Sequence, residues 1–89
     1  MRSRATSDFW RLYNRLPPSI QKSAKQAYAR FRQNPNHPSL RLKKVHTTRE
    51  IYSVRVTEDY RALGVREGDT IVWFWIGSHA DYERLLKGL

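Results

Sequence analysis

The chain has 89 residues and no cysteine. That length suits a single domain with one small core, and the lack of cysteine excludes a disulfide framework and a thiolate zinc site. The net charge is +9, and the excess is N-terminal: residues 1–49 contain 12 Lys and Arg against one acid, whereas residues 50–89 contain 5 against 7. A basic field of this kind attracts nucleic acid, acidic proteins or anionic membranes.

No segment of the sequence has the character of a membrane span or a secretory leader. The longest apolar run, residues 71–76, is far shorter than the roughly 20 residues that cross a bilayer. The first residues, Met-Arg-Ser-Arg, lack the apolar region of a signal peptide. We therefore expect one soluble domain over residues 1–89, located in the cytoplasm, with no membrane partner.

The first third of the chain predicts two helices. Ser7 can cap a short helix that runs through about Arg15, and Pro17-Pro18 then restarts the chain. The second helix is expected over residues 18–33, where apolar residues recur at helical spacing and the lysines and arginines lie away from them. The stretch 34–39, rich in Pro and Asn, predicts a loop after this helix.

Beyond the loop, the apolar residues change from helical spacing to the alternation that is typical of strands. β-branched and aromatic runs predict strands over residues 40–45, 51–56, 60–67 and 70–77. A short helix from residue 81 to about 87 is expected after them. The predicted fold class is α+β, with two N-terminal helices packed on one face of a twisted antiparallel sheet of about four strands. Because the last strand is apolar on both faces, it should lie centrally or be covered on both sides.

The turn between the last two strands predicts their register. A two-residue hairpin turn at residues 68–69 places Gly64 opposite Trp73 and Ala62 opposite Trp75. Each pair sets a small residue beneath a large ring. Both tryptophans are therefore expected to be largely buried.

The preceding turn predicts a pair of like charges. A three-residue loop places Arg55 directly opposite Arg61, where the two guanidinium groups repel each other. Such a pair is expected where an anion such as phosphate binds between the two groups. Two alternatives stay open: Glu50, Glu58 or Asp59 neutralises the arginines, or a different loop length separates them. Relief of the repulsion predicts that Arg61→Ala slightly stabilises the free protein.

Histidines supply the side chains that titrate nearest to neutral pH. His37 and His46 are expected at the surface, and the spacing of the three histidines fits no metal signature. His79 follows the last strand, where it either caps the final helix or transfers a proton. Tyr82, on the same helix face, either packs in the core or stacks on a base. No nucleotide-binding motif is present, so no cofactor is expected.

Four stretches of the sequence form a recognisable pattern. They are Leu16-Pro17, the Asn-Pro-x-His-Pro loop with Leu40 and Leu42 after it, the neighbouring segments 52–56 and 59–63, and Ile76-Gly77-Ser78-His79. Together they resemble the RelE/ParE superfamily of toxins from bacterial toxin-antitoxin pairs. The resemblance covers nearly the whole chain and implies a RelE-like fold.

The resemblance also implies a function and a set of site residues. In the ribonuclease members of the family, basic strand residues hold the scissile phosphate of messenger RNA on the ribosome. By that resemblance, we expect a metal-independent endoribonuclease in which Arg61 stabilises the transition state, Arg55 binds phosphate and His79 acts as acid or base. The residues that we expect to bind substrate are Lys22, Lys25, Lys43, Lys44, Ser53 and Tyr82.

The resemblance implies a cognate antitoxin, the ribosome and its messenger RNA as partners. A second hypothesis is a non-catalytic binding module of the same fold, such as a DNA gyrase inhibitor or an antitoxin-bound regulatory protein. A third is a nucleic-acid binder without chemistry. Two family features are not legible in the sequence. Residues 2–5 do not read as the family's N-terminal strand, and the terminal tyrosine of the ribonuclease members has no match, since Leu85 and Leu86 lie nearest to its place.

Overall fold

The computed structural model describes all of residues 1–89. It has the predicted α+β architecture, in which three helices pack on one mixed sheet of five strands. In chain order, the elements are β1 (Arg2–Ala5), α1 (Ser7–Asn14), α2 (Pro18–Gln33), a 3₁₀ turn (Pro38–Leu40), β2 (Lys43–Lys44), β3 (Ile51–Thr57), β4 (Tyr60–Glu67), β5 (Thr70–Ser78) and α3 (His79–Gly88). The strand order is β1-β5-β4-β3-β2. None of the helices is both long and apolar enough to span a bilayer.

The fifth strand is β1, which the sequence pattern did not reveal. It pairs in parallel with β5, so the sheet is mixed rather than purely antiparallel. Arg2 N–H donates to the Asp69 carbonyl at 2.7 Å, and the Trp73 indole N–H donates to Ser3 Oγ at 2.9 Å. A short edge strand held by such contacts needs no apolar run of its own. β1 places β5 in the interior of the sheet, as predicted.

The strand predicted over residues 40–45 is much shorter in the structure. Pro38 to Leu40 form a 3₁₀ turn whose first N–H groups are capped by His37, because Nδ1 of that residue accepts from Ser39 N–H at 3.2 Å. Leu40 is buried, and Arg41 follows it in the left-handed conformation with φ 48°. Lys43 and Lys44 then pair with β3, and Val45 N–H donates to the Ile51 carbonyl at 2.8 Å. Prolines and a local cap therefore override the strand-like alternation of this segment.

Local capping also moves two helix boundaries. Thr6 rather than Ser7 caps α1, since its Oγ1 accepts from Phe9 N–H at 3.1 Å. Ser78 caps α3 and starts that helix at His79, two residues earlier than predicted. α2 has the predicted bounds, with proline in its first turn.

The sheet is covered on both faces. On one face α1 and α2 pack over a core that includes Phe31, Val54 and Trp73. On the other face Tyr82 of α3 packs against Leu63, together with half-buried neighbours such as Trp75. Trp73 is buried as predicted, with 4% of its surface exposed, whereas Trp75 is only partly buried.

A bulge in β5 changes half of the predicted hairpin register. Gly64 lies opposite Trp73 as predicted, and a Cβ at Gly64 would come within 2.8 Å of that ring. The register shifts beyond this pair, so Ala62 faces Ile76 and not Trp75. The Trp75 ring packs instead over Gly77, where a Cβ would lie 2.6 Å from it. The predicted pair of Gly64 and Trp73 is therefore confirmed, whereas the pair of Ala62 and Trp75 is wrong, because Trp75 packs over a glycine of its own strand.

Candidate functional site

The predicted pair of arginines is present. Arg55 of β3 lies directly opposite Arg61 of β4. The turn between them differs from the prediction: it contains two residues, Glu58 and Asp59, and a bulge at Val56 restores the register. The side chains alternate along these strands, so both arginines lie on the sheet face that carries α3.

The side chain of Arg61 is held by the turn beside it. Its Nη1 donates to the backbone carbonyls of Thr57 at 2.7 Å, Glu58 at 3.0 Å and Tyr60 at 3.0 Å. These oxygens orient the guanidinium and partly offset its charge without neutralising it. Nη2 and Nε make no hydrogen bond within the protein, so they can donate to a ligand.

The surroundings of Arg61 disfavour the charged form of its side chain. Partial burial lowers the pKa of Arg61 from its ordinary value, and the repulsion from Arg55 lowers this pKa further. The alternative in which acids neutralise the pair is not what the structure shows. Neither arginine forms an ion pair, and Glu50 is engaged elsewhere, with Oε1 3.3 Å from Lys44 Nζ. An anion placed between the two guanidinium groups would relieve the repulsion.

An open cleft of about 420 Å³ lies over this pair. It is bordered by Arg41, Lys43, Ser53, Arg55 and Arg61, with the apolar side chain of Leu42 beside them. No carboxylate borders it, so the cleft is cationic throughout and suits a phosphate or another anion.

Arg41 is the residue of the cleft that sequence reasoning missed. It lies in a segment that the alternation predicted to be a strand, and its place in the cleft depends on the 3₁₀ turn before it. The pattern Asn-Pro-x-His-Pro, followed by a buried leucine, is the available signal that the chain turns here. Lys43 borders the cleft because it pairs with Ser53 on the same face, and its role in substrate binding stays a prediction.

Two predicted substrate contacts are buried, although Ser53 also borders the cleft. Tyr82 is 4% exposed and Ser53 is 2% exposed, and the Tyr82 hydroxyl donates to Ser53 Oγ at 3.2 Å. A buried ring offers no free face to a base, so stacking by Tyr82 is excluded in this conformation. The pair joins α3 to β3 and supports the base of the cleft.

Three predicted lysines lie outside the cleft. Lys44 pairs with Tyr52, so the side chain of Lys44 lies on the opposite face of the sheet from that of Lys43. Lys22 and Lys25 are exposed on α2, the helix that covers that opposite face. Any contribution of these two lysines to substrate binding is therefore through a surface separate from the cleft.

His79 lies at the same end of the sheet as Arg61. Gly77, two residues before it, pairs with Arg61, and the His79 N–H donates to the Asp59 carbonyl at 2.7 Å. The imidazole Nε2 is 3.4 Å from Glu83 Oε1, which leaves Nδ1 without a partner in the protein. His79 does not border the cleft, and Ser78 rather than His79 caps the helix. No group of three or more side chains is arranged to hold a metal ion.

The family of the chain follows from a match over most of its length. A family model described as the ParE-like toxin domain matches residues 18–84, which contain the paired arginines and His79. The chain belongs to the ParE-like toxin domain family. It therefore carries a toxin domain of the ParE-like kind. No curated protein sequence matches the chain significantly.

Solved structures share this ParE-like fold. A chain of the RelB-RelE antitoxin-toxin complex from Methanococcus jannaschii superposes with a TM-score of 0.70 at 23% identity, over 92% of this chain and 96% of that one. The YoeB/ParE toxin from Agrobacterium tumefaciens superposes with a TM-score of 0.67 at 14% identity, over 89% of this chain and 99% of that one. A chain of the RelBE2 toxin-antitoxin complex from Mycobacterium tuberculosis superposes with a TM-score of 0.62 at 22% identity, over 88% of this chain and 96% of that one. At these identities the similarity establishes the fold.

Proposed function

We propose that this ParE-like toxin is a metal-independent endoribonuclease that cleaves messenger RNA on the ribosome and so blocks translation. The observation that carries the proposal is the Arg55 and Arg61 pair, which no carboxylate neutralises and which lies beneath a cationic cleft. Retaining such a pair costs stability, and a bound phosphate offsets that cost.

The proposed reaction needs cations and positioned proton-transfer groups but no metal. The ribose 2′-oxygen bonds to the adjacent phosphorus, and the bond from phosphorus to the 5′-oxygen breaks. The 2′-hydroxyl gives up its proton, and the departing 5′-oxygen gains one. Arg61, already oriented by three carbonyls, stabilises the negative charge that develops on the phosphorane, and Arg55 binds the same phosphate.

His79 is the proposed acid or base. Its Nε2 faces Glu83 at 3.4 Å, and Nδ1 is the nitrogen left for a substrate. Because His79 lies beside the cleft rather than within its border, the substrate has to extend past the end of β4 to meet it. RNA bound on the ribosome could supply such a pose.

One observation favours the second candidate, a non-catalytic module that inhibits a protein such as DNA gyrase. The residues that border the cleft include four cations but no imidazole or carboxylate. A surface of this kind binds an anionic partner equally well without chemistry. In that case Arg55 and Arg61 would be contact residues whose loss weakens binding only.

Inducible expression separates the two functions. Messenger RNA 5′-ends and plasmid supercoiling are measured in the same cells after induction of the wild type and of Arg55→Ala. The ribonuclease is supported by new RNA ends with normal supercoiling in cells that express the wild type, and by the absence of these new ends in cells that express Arg55→Ala. Altered supercoiling without new RNA ends overturns it and supports the gyrase inhibitor.

We also propose that a cognate antitoxin neutralises the protein. Two of the similar structures are antitoxin-toxin complexes. An apolar surface available for a partner lies on the helices, as an open cavity of about 180 Å³ between α1, α2 and Trp73. Trp10 and Tyr28 border it and are 50% and 41% exposed, and Lys25 lies at its edge. Such a surface fits an amphipathic segment with acidic residues.

The antitoxin contact can be tested by substitution at its centre. Trp10→Glu places a negative charge in the apolar cavity, so we expect the cognate antitoxin to lose the ability to restore growth. The matched control is Arg15→Glu, because Arg15 is the exposed residue that directly follows α1 and does not border the cavity. Equal neutralisation of both variants would show that the antitoxin binds elsewhere.

A further inference from the structure

A second cationic cavity adjoins the first. It has a volume of about 430 Å³ and lies where the end of α2, the 3₁₀ turn and the turn between β3 and β4 meet. Arg30, Arg41 and Arg55 border it. Arg41 and Arg55 also border the cleft over Arg61, so the two cavities share a wall made of two guanidinium groups.

The three guanidinium groups of this second cavity have no partner in the protein. None of them takes part in an ion pair, and none donates a side-chain hydrogen bond. Glu58 is the carboxylate at the border, and it pairs with none of them. Five donors on each guanidinium therefore remain available to a ligand.

The backbone of Arg41 gives an independent reason to assign a ligand here. Its φ of 48° and ψ of 45° are the left-handed conformation, which costs a residue with a Cβ roughly 1–2 kcal/mol. Glycine or asparagine adopts this conformation more readily. Arginine at this position is thus unfavourable for the backbone, and its guanidinium borders both cavities. Strain of this kind persists where a side chain is needed for binding.

We propose that Arg30, Arg41 and Arg55 form a second phosphate subsite, so that the protein binds at least two phosphates of one single-stranded polynucleotide. The backbone of the strand runs from the cleft over Arg61, across the shared wall, to Arg30 at the end of α2. This inference rests on the proposed function and names the form of its substrate: an extended RNA strand is held on both sides of Arg55.

The test compares ligands with one and with several phosphates. Wild type, Arg30→Gln and Arg32→Gln are titrated with a dinucleoside monophosphate and with a hexanucleotide that carries 2′-deoxy sugars to prevent cleavage. Arg32 is the matched control because it lies on the same helix and contacts the Tyr28 ring instead of the cavity. Glutamine suits a helix, so both variants should fold.

We expect Arg30→Gln to weaken hexanucleotide binding by about five- to tenfold and to reduce the salt dependence of log Kd by about 0.7, the share of one phosphate contact on a single strand. Binding of the dinucleoside monophosphate should not change, because it occupies the cleft over Arg61. Arg41→Asn should weaken the binding of both ligands. The melting temperature of this variant should equal or exceed that of the wild type, since asparagine tolerates the left-handed conformation.

The outcomes separate this inference from the proposed function. If Arg30→Gln and Arg32→Gln bind the hexanucleotide equally, the second subsite is wrong and the ribonuclease proposal is untouched. Selective weakening in a protein that binds RNA but does not cleave it supports the subsite and contradicts the proposed catalysis. Failure of the wild type to bind either ligand at low salt overturns the second subsite, whereas the ribonuclease proposal is decided separately by the new RNA ends that appear after induction.

Discussion

Arg61→Ala is the substitution that tests the proposed chemistry most directly. Removing one preorganised donor from a transition state typically costs about 2.7 to 4 kcal/mol. The proposed cleavage rate should therefore fall by about a hundredfold or more. The assay is single-turnover cleavage of a ribosome-bound message, with thermal melts of the same preparations.

The structure reverses the expected effect of this substitution on stability. Relief of the repulsion from Arg55 gains no more than about 1 kcal/mol. Arg61→Ala also removes the donor that binds the carbonyls of Thr57, Glu58 and Tyr60. Loss of hydrogen bonds from a charged group costs about 1.5 to 3 kcal/mol, and less where water replaces them. The net result should be a melting temperature lowered by several degrees, about 4–8 °C for each kcal/mol.

Arg55→Ala separates chemistry from folding. It removes the other guanidinium of the pair, which makes no hydrogen bond within the protein, so the melting temperature should stay equal or rise slightly. Activity should nevertheless fall, because the phosphate loses a ligand. If Arg61→Ala cleaves at the wild-type rate, or regains that rate well below its own melting temperature, Arg61 does not stabilise the transition state. Normal cleavage by Arg55→Ala would remove that residue from the site.

Three further substitutions test other parts of the molecule. His79→Ala should lower the cleavage rate by a smaller factor than Arg61→Ala and flatten one limb of the pH profile; an unchanged profile would show that the imidazole transfers no proton. Trp73→Ala should cost roughly 3 to 5 kcal/mol in a denaturant titration, because the ring is buried and its N–H binds Ser3; a loss below about 1 kcal/mol would contradict this packing. Reversing the charges of Lys22 and Lys25 together should weaken binding to purified ribosomes and reduce its salt dependence, measured by co-sedimentation; unchanged affinity would exclude α2 from docking.

The hairpin of β4 and β5 was predictable from the sequence because local features determine it. Turn residues lie between two apolar runs, and Gly64 leaves room for the Trp73 ring. β1 was not predictable, since its pairing with β5 depends on contacts between residues about seventy positions apart. The bulge that moves Trp75 onto Gly77 also depends on packing rather than on turn chemistry.

The candidate site likewise contains some residues that could be predicted from the sequence and others that could not. The register of Arg55 and Arg61 could be read from strand spacing, although the turn reaches it by a bulge instead of a third loop residue. Arg41 could not be found, because a 3₁₀ turn brings it to the cleft. The burial of Tyr82 depends on how α3 packs against β3, which its helical spacing leaves undetermined. Residues placed by neighbours in sequence were thus predictable, and residues placed by the junction of two elements were not.

A phosphate bound in the cleft should stabilise the folded state, because it offsets the repulsion that acts on the charged side chain of Arg61. Burial first and Arg55 second lower the pKa of Arg61, so the folded state disfavours its charged form. This penalty is fully present at neutral pH and is lost only as the pH rises above the lowered pKa and through the ordinary one. A bound phosphate counters the repulsion, and a ligand at a hundred times its Kd stabilises a protein by about 2.7 kcal/mol. The melting temperature should therefore rise by about 10 °C or more with a non-cleavable RNA, and by clearly less for Arg55→Ala at the same concentration. An equal rise in both proteins would mean that the RNA binds outside the cleft.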